Sequence, residues 1–201
     1  MEKIEVKKMK IIKNKAKALR QVKKNGLFLQ YVSEELKHDK DVVMAAVNQE
    51  GEALEYASDN LKNDYDVVLT AVQNRGWALY FASQELKDNQ EIVLIAVKGN
   101  SSTLRLASDR LKDDKEVVMA AVSHDCGGAA LEYASDRLKN NKEVALAAIA
   151  SDSWALRSIS AELAADEDIA LATATCNHYS WIFPLDHPKN SHKVAQNIAT
   201  I

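Results

Sequence analysis

Six serines recur at one interval along the chain: Ser33, Ser58, Ser83, Ser108, Ser135 and Ser160. A serine hydroxyl becomes a nucleophile when a base stands beside it. No histidine recurs in register with these six, so the column is read as structural. A small residue in mid-helix lets a neighbouring helix approach, and its hydroxyl can bond back to the preceding turn.

The other groups capable of chemistry are scattered. His124-Asp125-Cys126 lies in the one place where the interval lengthens, and Cys176, His178, His187 and His192 lie near the C-terminus. A zinc site would need paired ligands such as C-x2-C with H-x3-H, and that spacing is missing. His124 and Cys176 occupy equivalent places two repeats apart, so stacking should separate them. No metal and no cofactor is expected. A lysine column, Lys37, Lys62, Lys87, Lys112 and Lys139, could line up to hold phosphates. Acidic columns run close by, and a solvated, self-neutralising face is the simpler reading.

Two features carry binding chemistry. Residues 1–24 hold ten Lys/Arg and two Glu, leaving 16 basic and 27 acidic residues for the remainder of a chain with net charge −3. Within that basic head Lys7, Lys8, Lys10, Lys13, Lys15 and Lys17 are the candidates for a polyanion, either nucleic acid or an anionic membrane surface. The alternative is a lysine-rich cap drawn to its own acidic body. The second feature is a set of aromatic and arginine residues where the pattern predicts exposure: Trp77, Tyr80, Arg105, Trp154, Arg157 and Tyr65. These types anchor protein interfaces. Trp77 and Tyr80 stand three apart, and Arg105 should fall beside Tyr80 one layer on. Tryptophans folded over the inter-helix turns would be the plainer arrangement.

The elements that position these residues follow from a repeat. The leucines Leu29, Leu54, Leu79, Leu104, Leu131 and Leu156 are spaced by 25, 25, 25, 27 and 25 residues. Counting from each leucine, apolar residues at 0, +3 and +7 predict a first helix with one buried stripe. Position −3 is Gly26, Gly51, Gly76, Ser101, Gly128 or Ser153, read as the turn that lets the chain reverse. Position +10 is Asp39, Asp64, Asn89, Asp114, Asn141 or Asp166, a good helix N-cap. An acid follows at +12, where the helix dipole favours it. The apolar blocks DVVMAAV (41–47) and EVVMAAV (116–122) then predict a second helix, apolar on more than one side.

Helices this short are marginal alone and must be buried by their neighbours. The expected architecture is an all-α solenoid of about six stacked helix-turn-helix repeats with atypical terminal caps. It is read as one continuous domain: residues 1–24 a basic capping helix with Ile12, Leu19 and Val22 facing the first repeat, 25–175 the array, and 176–201 a degenerate cap. In that last segment Trp181 keeps the interval, Pro184 and Pro188 interrupt it, and Lys193–Ala199 is expected as a final helix.

No apolar run approaches the roughly 18 residues a membrane span needs, and the N-terminus lacks the apolar stretch of a secretory signal. Two cysteines without framework spacing suit reduced thiols. A cytosolic location is expected, with export by a signal-independent route compatible with the same residues.

The stretches DKDVVMAAVNQEGEALEYASDNLK (39–62) and DYDVVLTAVQNRGWALYFASQELK (64–87) resemble the repeats of the DUF4116 family. The resemblance spans roughly residues 18–175 and fades after Thr175. It implies a helical repeat array serving as an interaction module, and supplies no catalytic residues. The period is too short for tetratricopeptide, ankyrin or HEAT repeats, and the strand pattern of leucine-rich repeats is absent.

Regular framework columns beside irregular exposed ones point to a non-enzymatic scaffold whose partner is another protein. Polyanion binding through residues 1–24 is the alternative. An enzyme using His178 or His187 is the weakest reading, because no pair of groups has acid–base or nucleophile–base spacing.

Overall fold

Each repeat folds as three helical pieces where the sequence predicted two. The computed structural model describes residues 11–124 and 127–175. In one repeat a 3-10 helix, Gly51–Tyr56, is followed by two extended residues, Ala57 and Ser58. A single α-turn, Asp59–Lys62, and then a ten-residue α-helix, Tyr65–Asn74, complete it. The same order recurs as Gly26–Tyr31, Glu34–Lys37, Lys40–Gln49, and in every later repeat.

The expected first helix breaks because serine at +4 is an N-cap, not a mid-helix residue. Ser83, Ser108, Ser135 and Ser160 each accept the N–H of the leucine three residues on. Their backbone is extended, and the exposed N–H finds a partner in the repeat before. Ser58 N–H donates to the Lys37 carbonyl at 3.1 Å, Ser83 to Lys62 at 2.9 Å and Ser135 to Lys112 at 2.9 Å. In the first five repeats the apolar residues at 0, +3 and +7 are still buried, as Leu54, Ala57 and Leu61 show, though they do not share one helix.

The long helices carry most of the core. Val42, Val43, Ala46 and Val47 are wholly buried, as are their equivalents Val117, Val118, Ala121 and Val122. Full burial of one such valine or leucine contributes about 1.5–3 kcal/mol. The Asx at +10 caps these helices as expected: Asp64 accepts from Val67 N–H and Asn141 from Val144 N–H, both at 3.1 Å.

The glycine at −3 serves close packing, not chain reversal. A Cβ added at Gly51 would stand 2.3 Å from the carbonyl oxygen of Ala71, on the next long helix. Gly26 meets Ala46 and Gly128 meets Ala148 in the same way. Asn74 strengthens this junction, accepting Gly51 N–H at 2.7 Å and donating to the Asn48 carbonyl at 3.1 Å.

The first described helix occupies the place of a repeat's long helix. It is Lys15–Val22, N-capped by Asn14, and it buries Ala18 and Val22. Leu19 is half-buried. Ile12 precedes the helix and pairs in a single bridge with Val32, its carbonyl accepting Ser33 N–H at 2.9 Å. Ile12 therefore supplies to Ser33 what Lys37 supplies to Ser58. Apart from this bridge the described residues contain no extended pairing.

Packing divides the chain into two units, Met1–Ala96 and Val97–Ile201. In the first, the long helices Lys15–Val22, Lys40–Gln49 and Tyr65–Asn74 pack in sequence order, as do their 3-10 helices. In the second, Lys115–Val122, Lys142–Ser151 and Glu167–Thr175 do the same. The expected final helix Lys193–Ala199, with Trp181, Pro184 and Pro188, lies outside the described residues.

Candidate functional site

Most polar columns are occupied in joining one repeat to the next. The first residue of each long helix is a lysine in four places, and each reaches the acids that open the following long helix. Lys15 Nζ lies 2.7 Å from Asp39 and 2.8 Å from Asp41. Lys40 bridges Asp64 and Asp66, both at 2.9 Å. Lys115 reaches Glu143 at 2.5 Å, and Lys142 reaches Asp166 at 2.8 Å and Asp168 at 2.6 Å. Hydrogen bonds to these carboxylates hold the Lys15, Lys40 and Lys142 ammonium groups above their ordinary pKa. The Asp39 and Asp166 carboxyls are held low chiefly by their lysines. At Asp64 burial pushes upward, but Lys40 and the Val67 amide outweigh it and the carboxyl is lowered.

Tyr65 belongs to this ladder. It stands where the others have lysine, and its hydroxyl donates to Glu91 at 2.7 Å. The carboxylate raises its pKa. The repeat pattern places Tyr65 among the exposed aromatics, and it is 37% exposed, but its polar end is engaged within the frame.

The serine column has a second bond that sequence reasoning missed. The Ser135 hydroxyl donates to Asp113, which also takes Arg137 Nε at 3.0 Å, and the Ser83 hydroxyl donates to Asn63. Ser58 has no such partner, because His38 stands in that column and its Nδ1 lies 2.8 Å from the Glu34 carbonyl.

One face of the 3-10 helices carries side chains that change from repeat to repeat. Three residues make a turn of such a helix, so positions −2 and +1 lie one above the other. They include Glu52 with Glu55 and Trp77 with Tyr80 in the first unit, and Ser102 with Arg105 and Trp154 with Arg157 in the second; Glu52 also meets Arg75 at 3.1 Å. Tyr80 is 53% exposed and Trp154 43% exposed, while Trp77 is half-buried where the pattern predicted exposure. Arg105 and Arg157 are exposed.

Each unit pairs an exposed ring with a cation. Arg157 Cζ lies 5.1 Å from the Trp154 ring centroid, within cation–π range. Tyr80 packs edge-on against Phe81 at 5.2 Å, and Lys87 Nζ lies 5.8 Å from its centroid. Lys37, Lys112 and Lys139 of the same column each pair with an acid three residues back, at 2.8, 3.5 and 3.8 Å. Gln84 stands where those three have a carboxylate, which leaves Lys87 to the ring; burial lowers its pKa. The lysine column is thus self-neutralised in three rungs, and Lys87 is the member the sequence did not single out.

The model of a domain of unknown function, DUF4116, matches the chain at residues 9–62, 43–87, 64–112, 89–127 and 114–164. The chain belongs to the DUF4116 family. The overlapping matches tile the all-α repeat array. No curated protein and no solved structure matches the chain.

Within this DUF4116 array the basic head divides. Lys13, Lys15 and Lys17 are described and exposed, and Lys15 is engaged with Asp39 and Asp41. Lys7, Lys8 and Lys10 lie outside the described residues, as do Cys126, Cys176, His178, His187 and His192. His124 contributes its carbonyl to the DUF4116 frame, accepting the Gly127 N–H at 2.6 Å and the Ser151 hydroxyl at 2.5 Å. Among the described residues no group of three His, Cys, Asp or Glu side chains is arranged to hold a metal ion. No described helix is long and apolar enough to cross a membrane.

Proposed function

We propose that the chain is a non-enzymatic helical-repeat scaffold that binds another protein through the outer face of its 3-10 helices. The observation that carries this reading is the division of labour among columns. Ladder lysines, capping serines and Asx residues are engaged in holding repeats together, whereas positions −2 and +1 change from repeat to repeat and present Tyr80 beside Lys87 and Trp154 beside Arg157. An exposed aromatic with a cation at its edge supplies both apolar area and a charge-assisted contact.

The test is capture from native lysate with the whole chain and with Tyr80→Ala and Trp154→Ala variants. A protein retained by the wild type and lost by either variant, with helicity unchanged, supports the reading. Equal retention by all three removes this face as the binding surface. Polyanion binding through the basic head is the second reading, favoured by the eight net positive charges of residues 1–24. Its mark is retention of nucleic acid or anionic lipid that falls steeply with salt.

A further inference from the structure

The last described repeat leaves open the positions that earlier repeats bury. Leu29, Leu54, Leu79, Leu104 and Leu131 are wholly buried, but their equivalent Leu156 is half-buried. Leu163 is half-buried where Leu36, Leu61, Leu86, Leu111 and Leu138 are buried. On the helix Glu167–Thr175, Ala174 is exposed where Val47, Val72, Val122 and Ile149 are buried. Leu171 is 52% exposed where Met44, Leu69, Met119 and Leu146 are half-buried. One side of this helix packs on Lys142–Ser151. The other is where a following repeat would lie.

After Thr175 the chain has 26 residues left, close to one repeat. Counted in register from Trp181, the four columns buried in each long helix fall on Val194, Ala195, Ile198 and Ala199. All four are apolar. The charge ladder continues with its sign reversed: Glu167 stands at the lysine position and Lys193 at the position of the acid it would meet. A second copy stacking its first described helix there would bring Asn14 and Ala16 to that rung, and neither carries a charge.

We propose that the open face of Glu167–Thr175 is a docking surface for the chain's own residues 191–199, set in repeat register, with Glu167 and Lys193 forming a charge-reversed rung. Docking there shields Leu156, Leu163 and Leu171. The inference is independent of the proposed binding face.

Backbone amide exchange on the full chain tests it, with sedimentation run in parallel. Ile198→Asp is expected to speed exchange in Glu167–Thr175 by about tenfold or more and to leave Lys40–Gln49 unchanged. Lys193→Glu is expected to speed exchange in the same helix by a smaller factor, and adding Glu167→Lys to restore it. Exchange in Glu167–Thr175 that ignores Ile198→Asp would overturn the proposal. So would a wild-type dimer that survives Ile198→Asp but dissociates with Leu171→Asp, which would assign the face to a second copy.

Discussion

The ammonium of Lys40 stands 2.9 Å from Asp64 Oδ2, the N-cap carboxylate of the next long helix. One side chain thereby joins two repeats and neutralises charge at a helix start. The same contact recurs from Lys15 to Asp39 and from Lys142 to Asp166. Lys40→Met is therefore expected to lower the melting temperature, by less than removal of a buried leucine such as Leu54, because the pair faces solvent. The difference from wild type should shrink in high salt. Thermal melts at two ionic strengths measure this; a salt-independent difference would mean that packing of the lysine stem, not charge, is what was lost.

The ladder also sets a pH window. Asp39, Asp64 and Asp166 have lowered pKa values in the folded chain, so the folded state binds fewer protons than the unfolded one. Their contribution is complete above the unfolded carboxylate value, about 4, and is lost as pH falls through the lower folded values. Their raised lysine partners contribute fully below about 10.4 and lose it as pH rises through the folded values. Denaturant midpoints measured from pH 2 to pH 6 should fall on the acid side, and the fall should be smaller in a variant lacking Lys15, Lys40 and Lys142.

Gly51→Ala is expected to destabilise by about 1–3 kcal/mol. The added carbon would meet a backbone carbonyl, Ala71 O at 2.3 Å, that no side-chain rotation can move aside. The Gly51 amide is at the same time held by Asn74. Urea denaturation of the single variant reads this directly, and a neutral result would show that the repeats can separate at this junction without loss.

The serine column separates into two classes. Ser135→Ala removes both an N-cap bond to Leu138 and a bond to Asp113, and should cost about 0.5–2 kcal/mol. Ser58→Ala removes a hydroxyl that is buried without a partner, and should be close to neutral or stabilising. Equal losses at the two positions would contradict the different environments assigned to them.

The period, the Asx caps and the buried columns of the long helices were legible because each rests on local chemistry repeated in register. The break at Ala57-Ser58 was not anticipated, since apolar residues at 0, +3 and +7 satisfy a helical stripe even when the chain is not one helix. The signal was nevertheless present: serine followed by acids, as in Ser33-Glu34-Glu35, is the mark of a helix start. The lysine rungs were spaced one repeat from their acids, but which columns face each other depends on how repeats stack. For the same reason the sequence does not show that the Tyr65 hydroxyl meets Glu91. Lys87 drew no notice because it is one more lysine in a column; only the glutamine at position 84 distinguishes it.

Protein binding by the outer face of the 3-10 helices, as proposed above, makes a quantitative prediction. The most direct measurement is the equilibrium affinity of the captured partner for the wild-type chain, for Tyr80→Ala, for Trp154→Ala, and for a variant with Lys7, Lys8, Lys10, Lys13 and Lys17 changed to Gln. Lys15 stays in place because it holds the cap. At least one of the two aromatic variants is expected to bind about tenfold or more weakly, with helicity intact, and the lysine variant to change little. Full affinity in both aromatic variants, or loss confined to the lysine variant with steep salt dependence, would contradict the proposal.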